Sequence, residues 1–161
     1  MATDSMNPGA ARSERPQRVQ DANGLLASAR RSFTESDLDE SVRCAEALLN
    51  LAVWEHDAAA LATMSSAIPF LDSVFSARLG PRSGLVRLGA PTDAVKRLLS
   101  LPALDLLSRI TRPMPIHEVI TASSIPERDC VRLLAGLLRR KVLVSWQDHG
   151  RSSRWFVPNR Y

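Results

Sequence analysis

The chain has 161 residues, 45% hydrophobic, 24% charged and 5% aromatic, with a formal net charge of +4. That length can bury a core, and an aromatic-poor, Leu- and Ala-rich balance favours a mainly helical chain over a sandwich or barrel. No apolar run approaches the roughly 18 residues of a bilayer span, and the polar N-terminus lacks the apolar stretch of a secretion signal. No membrane partner is therefore expected, and the expected location is cytoplasmic.

The charge is unevenly distributed. Residues 1–80 carry 7 Arg and no Lys against 11 acids, a net of −4, whereas residues 81–161 carry 14 Lys and Arg against 6 acids, a net of +8. Such polarity points the second half toward a polyanion.

Residues 1–31 are rich in Ala, Arg, Ser, Pro and Gln with little apolar periodicity, which reads as a disordered arm. A helix is expected from Thr34 or Ser36, where acids crowd the first turn, to about Met64. Its apolar face would hold Leu38, Val42, Cys44, Ala45, Leu48, Leu49, Ala52 and Trp54. Pro69 then opens a second helix that stops at Gly80-Pro81. "GPRSGLVRLGAP" is punctuated by Gly and Pro and reads as a linker or short extended crossing. Residues 32–91 thus form a helical region with a linker, and 92–161 a second domain.

Thr92 or Asp93 caps "DAVKRLLSL", and Ser100 with Pro102 starts a helix with Leu104, Leu107 and Ile110 inward. "MPI" (114–116) is a short extended piece. "HEVITAS" (117–123) is a short helix with Val119 and Ile120 inward, and Ser123, Ser124 and Ile125 turn the chain. Pro126 opens a longer helix whose Cys130, Leu133, Leu134, Leu137 and Leu138 face the core at helical spacing. "VLVSW" (142–146) alternates as a strand, "QDHGRSS" turns, and "RWFVP" (154–158) returns as its partner. Cys130 and Cys44 read as small buried hydrophobes, and Trp54, Trp146 and Trp155 as packing residues.

Ile125-Pro126, "VRLLAGLLRRKVLV" and the hairpin to Phe156-Val157-Pro158 together resemble the winged helix-turn-helix domain of the IclR and MarR families of bacterial transcription regulators. The likeness covers residues 100–159. It implies a C-terminal winged helix-turn-helix bearing a two- to three-stranded β wing, which with the N-terminal helices makes a mainly α fold. It also implies a sequence-specific regulator of double-stranded DNA, with the third helix of the domain in the major groove. Ser124, Glu127, Arg128, Asp129 and Arg132 would then lie at the DNA, with Arg128 and Arg132 able to grip a guanine edge or a phosphate. Val131 would share their outward face. The wing would bring His149, Arg151, Ser152 and Arg154 to the backbone. Glu127 and Asp129 depart from the pattern. An acid can accept from cytosine, but its ordinary effect on phosphate is repulsion, and both acids also suit a helix N-terminus. Arg139, Arg140 and Lys141 suit the C-terminus of the same helix.

Paired half-sites call for a homodimer, whose interface is expected within 34–79 around Leu38, Val42, Leu48, Leu49 and Phe70. The alternative is a protein-binding adaptor, because a fold does not fix a function. His56, His117 and His149 are scattered without partner ligands, so neither metal nor cofactor is expected. With no phosphate loop or nucleophile motif, no enzyme is expected either.

Overall fold

The computed structural model describes residues 10–145, with side chains described from residue 21 onward. Its described residues form seven α-helices, a short π-helical segment and one small antiparallel sheet of three strands. The mainly helical architecture is as expected. The chain divides into two compact units, Met1–Val74 and Phe75–Tyr161.

The first unit opens with α1 (Ala10–Thr34), where the composition had suggested a disordered arm. Ala22, Leu26 and Ala29 recur at helical spacing and are buried. Two of the three are alanines, so the buried stripe carries little apolar signal in the sequence. α1 ends at a residue with positive φ, Ser36 (φ 63). The Asp37 N–H donates to the Ser32 carbonyl at 2.9 Å and the Ser36 N–H to the Phe33 carbonyl at 3.2 Å, the pair of bonds that closes a Schellman motif. α2 (Leu38–Leu49) follows at once, capped by the Asp37 carboxylate, which accepts from the Glu40 N–H.

Val42, Cys44, Ala45 and Leu48 of α2 are fully buried. The hydroxyl of buried Ser41 donates to the Ala29 carbonyl at 2.9 Å, tying α2 to α1. Instead of running on to Met64, the helix widens into a π segment, Asn50–Trp54, and breaks at His56, which has φ 52. Trp54 lies at the surface there, 78% exposed, rather than packed. The Asp57 carboxylate then accepts from the Ala60 N–H at 2.8 Å and starts α3 (Ala58–Leu79).

Pro69 lies inside α3 rather than opening it. A proline there removes one backbone donor, yet Ala67, Leu71 and Val74 continue a buried stripe past it, so packing carries the helix through. Read as one piece, α3 is the one helix among the described residues long and apolar enough to cross a membrane by composition, which the sequence broken at Pro69 did not suggest. Phe33 and Phe70 meet edge to face with centroids 5.7 Å apart, and the Arg30 guanidinium sits 5.6 Å from the Phe70 ring.

The second unit begins at Phe75, in the last part of α3. Gly80 stops that helix with φ 77, as its position next to Pro81 suggested. The segment read as a linker or short extended crossing contains β1 (Leu85–Leu88), the central strand of the sheet. β1 pairs antiparallel with β2 (Met114–Pro115), Val86 opposite Met114. On its other side it pairs with β3 (Leu143–Ser145), Arg87 opposite Val144. Immediately after β1, Gly89 donates to the Val142 carbonyl at 2.8 Å. A Cβ at Gly89 would collide with the Lys141 carbonyl, which explains the glycine.

α4 (Asp93–Arg97) is capped by Thr92 and α5 (Leu101–Ser108) by Ser100, whose hydroxyls accept from the Val95 and Ala103 N–H groups. α5 buries Ala103 and Leu106, with Ile110 just beyond it, and leaves Leu104 46% exposed. Its inward stripe is therefore shifted from the Leu104, Leu107 and Ile110 face expected. α6 (Ile116–Ala122) and α7 (Glu127–Arg139) follow. Their Ile116, Val119, Cys130, Leu134, Leu137 and Leu138 join Phe75, Val86, Val142 and Leu143 as buried residues of this unit. The expected return strand at 154–158 lies outside the described residues, as do Trp146 and Trp155; the described neighbour of β3 is β1.

Candidate nucleic-acid interface

α6 and α7 are joined by four residues, Ser123 to Pro126. The Ser123 hydroxyl accepts from the Ile125 N–H at 3.0 Å, a local bond that sets the turn. The Arg109 guanidinium donates to the Ala122 carbonyl at 3.0 Å and also grips Asp105 on its own helix, so α5 is fastened to the end of α6. The Pro126 carbonyl accepts from the Cys130 N–H and begins the α7 ladder. With its φ preset, Pro126 serves here as the N-cap.

The turn and the first turn of α7 place Ser124, Glu127, Arg128 and Asp129 together at the surface. Further along, Val131, Leu134, Ala135, Gly136, Leu137 and Leu138 are all buried, and apart from Gly136 they share one broad face of the helix, with Arg132, Leu133 and Arg139 half-buried on the other. Val131, expected to face outward, is 6% exposed. Arg132 is also drawn in: its side chain is 20% exposed, with its guanidinium 5.9 Å from the centre of the Phe75 ring and one terminal nitrogen 3.9 Å from Asp129. The sequence pattern assumed an uncovered outer side for α7. Phe75, some fifty-seven positions earlier, occupies it beside Arg132, and no local spacing foretells such a contact. His149, Arg151, Ser152 and Arg154 lie outside the described residues.

At the other end, α7 closes with a second Schellman motif. The Val142 N–H donates to the Leu137 carbonyl at 3.0 Å and the Lys141 N–H to the Leu138 carbonyl at 3.1 Å, with Lys141 at φ 60. Val142 and Leu137 are both buried, the apolar character this motif favours at these two positions. Lys141 therefore has a structural task in ending α7 and delivering the chain to β3. Its side chain, like that of Arg140, remains exposed.

One participant was not among the residues expected at the site, because it lies in the Gly- and Pro-punctuated segment, far from α7 along the chain. Arg82 reaches Glu127 with a 3.0 Å ion pair, the side chains being 44% and 69% exposed. The Arg82 carbonyl accepts from the His117 backbone N–H at 3.0 Å and lies 3.1 Å from His117 Nδ1, so that nitrogen must carry a hydrogen for the contact to be a bond. The turn before β1 is thereby tied to the heads of both α6 and α7. A basic residue near every candidate acid would have been the signal, but chain distance hid it.

Of the residues named for a dimer interface, Val42 and Leu48 are fully buried within the first unit, Phe70 contacts Phe33 and Arg30 there, and Leu38 and Leu49 are half-buried. Burial holds the Cys44 and Cys130 thiols above their usual pKa. Among the described residues no group of three or more His, Cys, Asp or Glu side chains could hold a metal ion. In comparisons with family models, with curated proteins and with solved structures, the chain matches none.

Proposed function

We propose that the protein is a double-stranded DNA-binding transcriptional regulator whose second unit acts as a winged helix-turn-helix, with the head of α7 entering the major groove. The observation that carries this reading is the joint exposure of Ser124, Glu127, Arg128 and Asp129 where α6 turns into α7, within the half of the chain that carries a net +8. Helix-turn-helix proteins make their base contacts from the N-terminal residues of the recognition helix, and Glu127, Arg128 and Asp129 at the head of α7 are exposed. Arg128 is the residue assigned to a base or phosphate. Arg132 is assigned to packing on Phe75 instead.

The test is binding of the intact protein to random duplex DNA across a salt series. Phosphate contacts release counterions, so affinity should fall steeply as salt rises. Arg128→Ala should weaken binding at unchanged thermal stability, whereas Arg132→Ala should lower stability first. Retention of full affinity by Arg128→Ala would remove that residue from the interface.

A second reading, a protein-binding adaptor, is favoured by Leu98 and Leu101, which are 85% and 82% exposed. Two leucines so open to water within four positions of the chain are candidates for covering by a partner. A homodimer on paired half-sites would also need surface other than buried Val42 and Leu48, and these leucines supply it. Light scattering on the wild type and on a Leu98→Ser/Leu101→Ser variant separates the cases. Self-association that the variant loses, together with duplex binding, fits the dimeric regulator; self-association without duplex binding fits the adaptor.

A further inference from the structure

We propose that Arg82 and Glu127 act as one specificity-determining unit, in which Arg82 neutralises and aims the Glu127 carboxylate so that it accepts from the exocyclic amino group of a cytosine. The inference rests on the DNA-binding reading and assigns a base to it.

Three observations carry it. First, an unneutralised carboxylate at the head of a groove-entering helix would repel the phosphates on either side. Glu127 is not in that state: one of its oxygens, Oε1, accepts from Arg82 Nη2 at 3.0 Å. Second, the pair remains at the surface, with Glu127 69% exposed, so the carboxylate keeps acceptor capacity toward a ligand. An ionised carboxylate has about four lone-pair sites, and an arginine takes only part of them. Third, Arg82 does not hang from a loose loop. Its carbonyl receives the His117 N–H, and the Gly84 carbonyl receives the Ile116 N–H at 2.9 Å, so the turn is fixed to the head of α6. An acceptor held this way selects for a donor. In the major groove cytosine presents N4–H₂, and Glu or Asp accepting from it is an established pairing. Adenine also offers an amino donor, but beside the N7 acceptor, which a carboxylate does not satisfy.

The experiment is selection of bound sequences from random duplex DNA by the full chain, run in parallel for wild type, Glu127→Gln, Arg82→Ala and Arg82→Lys, with each variant's melting temperature measured. The wild type should enrich one cytosine position by roughly tenfold or more over other bases. Glu127→Gln should lose that preference while still binding duplex, because its amide both donates and accepts. Arg82→Ala should bind more weakly and lose the preference. Arg82→Lys should restore part of both, a rescue that a role confined to fold stability would not produce at the level of base choice. A cytosine preference that survives in Glu127→Gln or in Arg82→Ala would overturn the proposal and leave DNA binding standing. Failure of the wild type to bind any duplex at low salt would take down the DNA reading and this inference with it.

Discussion

The two units bury their helices with different side chains. In the first, α1 buries Ala22, Leu26 and Ala29, and α2 buries Val42, Cys44, Ala45 and Leu48. In the second, α7 presents Leu134, Leu137 and Leu138, joined by Val119, Ile116 and Ile110. Small residues let backbones approach closely, and the buried hydroxyl of Ser41 on the Ala29 carbonyl at 2.9 Å marks how near α1 and α2 come. The second unit adds a three-stranded sheet to its helices. The difference shows in charge as well, since the first half of the chain is acidic and the second basic. Only the second unit combines an exposed turn between two helices with an excess of cations.

The comparison is broken most forcefully by opening each core separately. Leu48→Ala and Leu134→Ala each remove a fully buried side chain, at about 2–5 kcal/mol. Each unit carries its own reporter, because Cys44 and Cys130 are both buried and free. Burial keeps both thiols protonated, so alkylation at neutral pH should be slow in the folded protein. Leu48→Ala should speed labelling of Cys44 more than of Cys130, and Leu134→Ala should do the reverse. Equal acceleration of both thiols by either variant would mean that the two cores open as one.

A smaller effect is expected where backbone meets backbone. Gly89→Ala would press a methyl group into the Lys141 and Val142 carbonyls. Strain of this kind typically costs about 1–3 kcal/mol, and it should be felt by Cys130 rather than Cys44. A melting temperature equal to wild type would show that the strand end relaxes freely.

The smallest effect runs in the stabilising direction. Ser36 and Lys141 both hold positive φ at the ends of α1 and α7, a conformation that an L-residue adopts at about 1–2 kcal/mol and glycine adopts readily. Ser36→Gly and Lys141→Gly should each gain up to about 1 kcal/mol after the greater chain entropy of glycine is offset. Denaturant midpoints would record the gain, and a loss at either site would mean that its side chain contributes more than the backbone strain removes.

These same residues explain what could and could not be read from the chain alone. Helix ends are usually announced by glycine, and Gly80 was legible for that reason. Ser36 and Lys141 perform the same task without the announcement. The caps at Thr92 and Ser100 and the start of α7 at Pro126 were local signals and emerged as expected. The burial of α1 was hidden by its alanines, while the glycines and prolines around 85–88 left a linker and a short extended crossing both open, and the strand there is the second of these. At the candidate interface, the exposed head of α7 followed from local pattern. The covering of Arg132 by Phe75 and the pairing of Glu127 with Arg82 join residues some forty-five or more positions apart, where no periodicity reaches.

The most direct test of the account is titration of the intact protein with random-sequence duplex DNA at low and at raised salt. The account predicts measurable binding at low salt that weakens steeply as salt increases and that Arg128→Ala reduces. Absence of binding at low salt, by a protein shown to be folded, would contradict it.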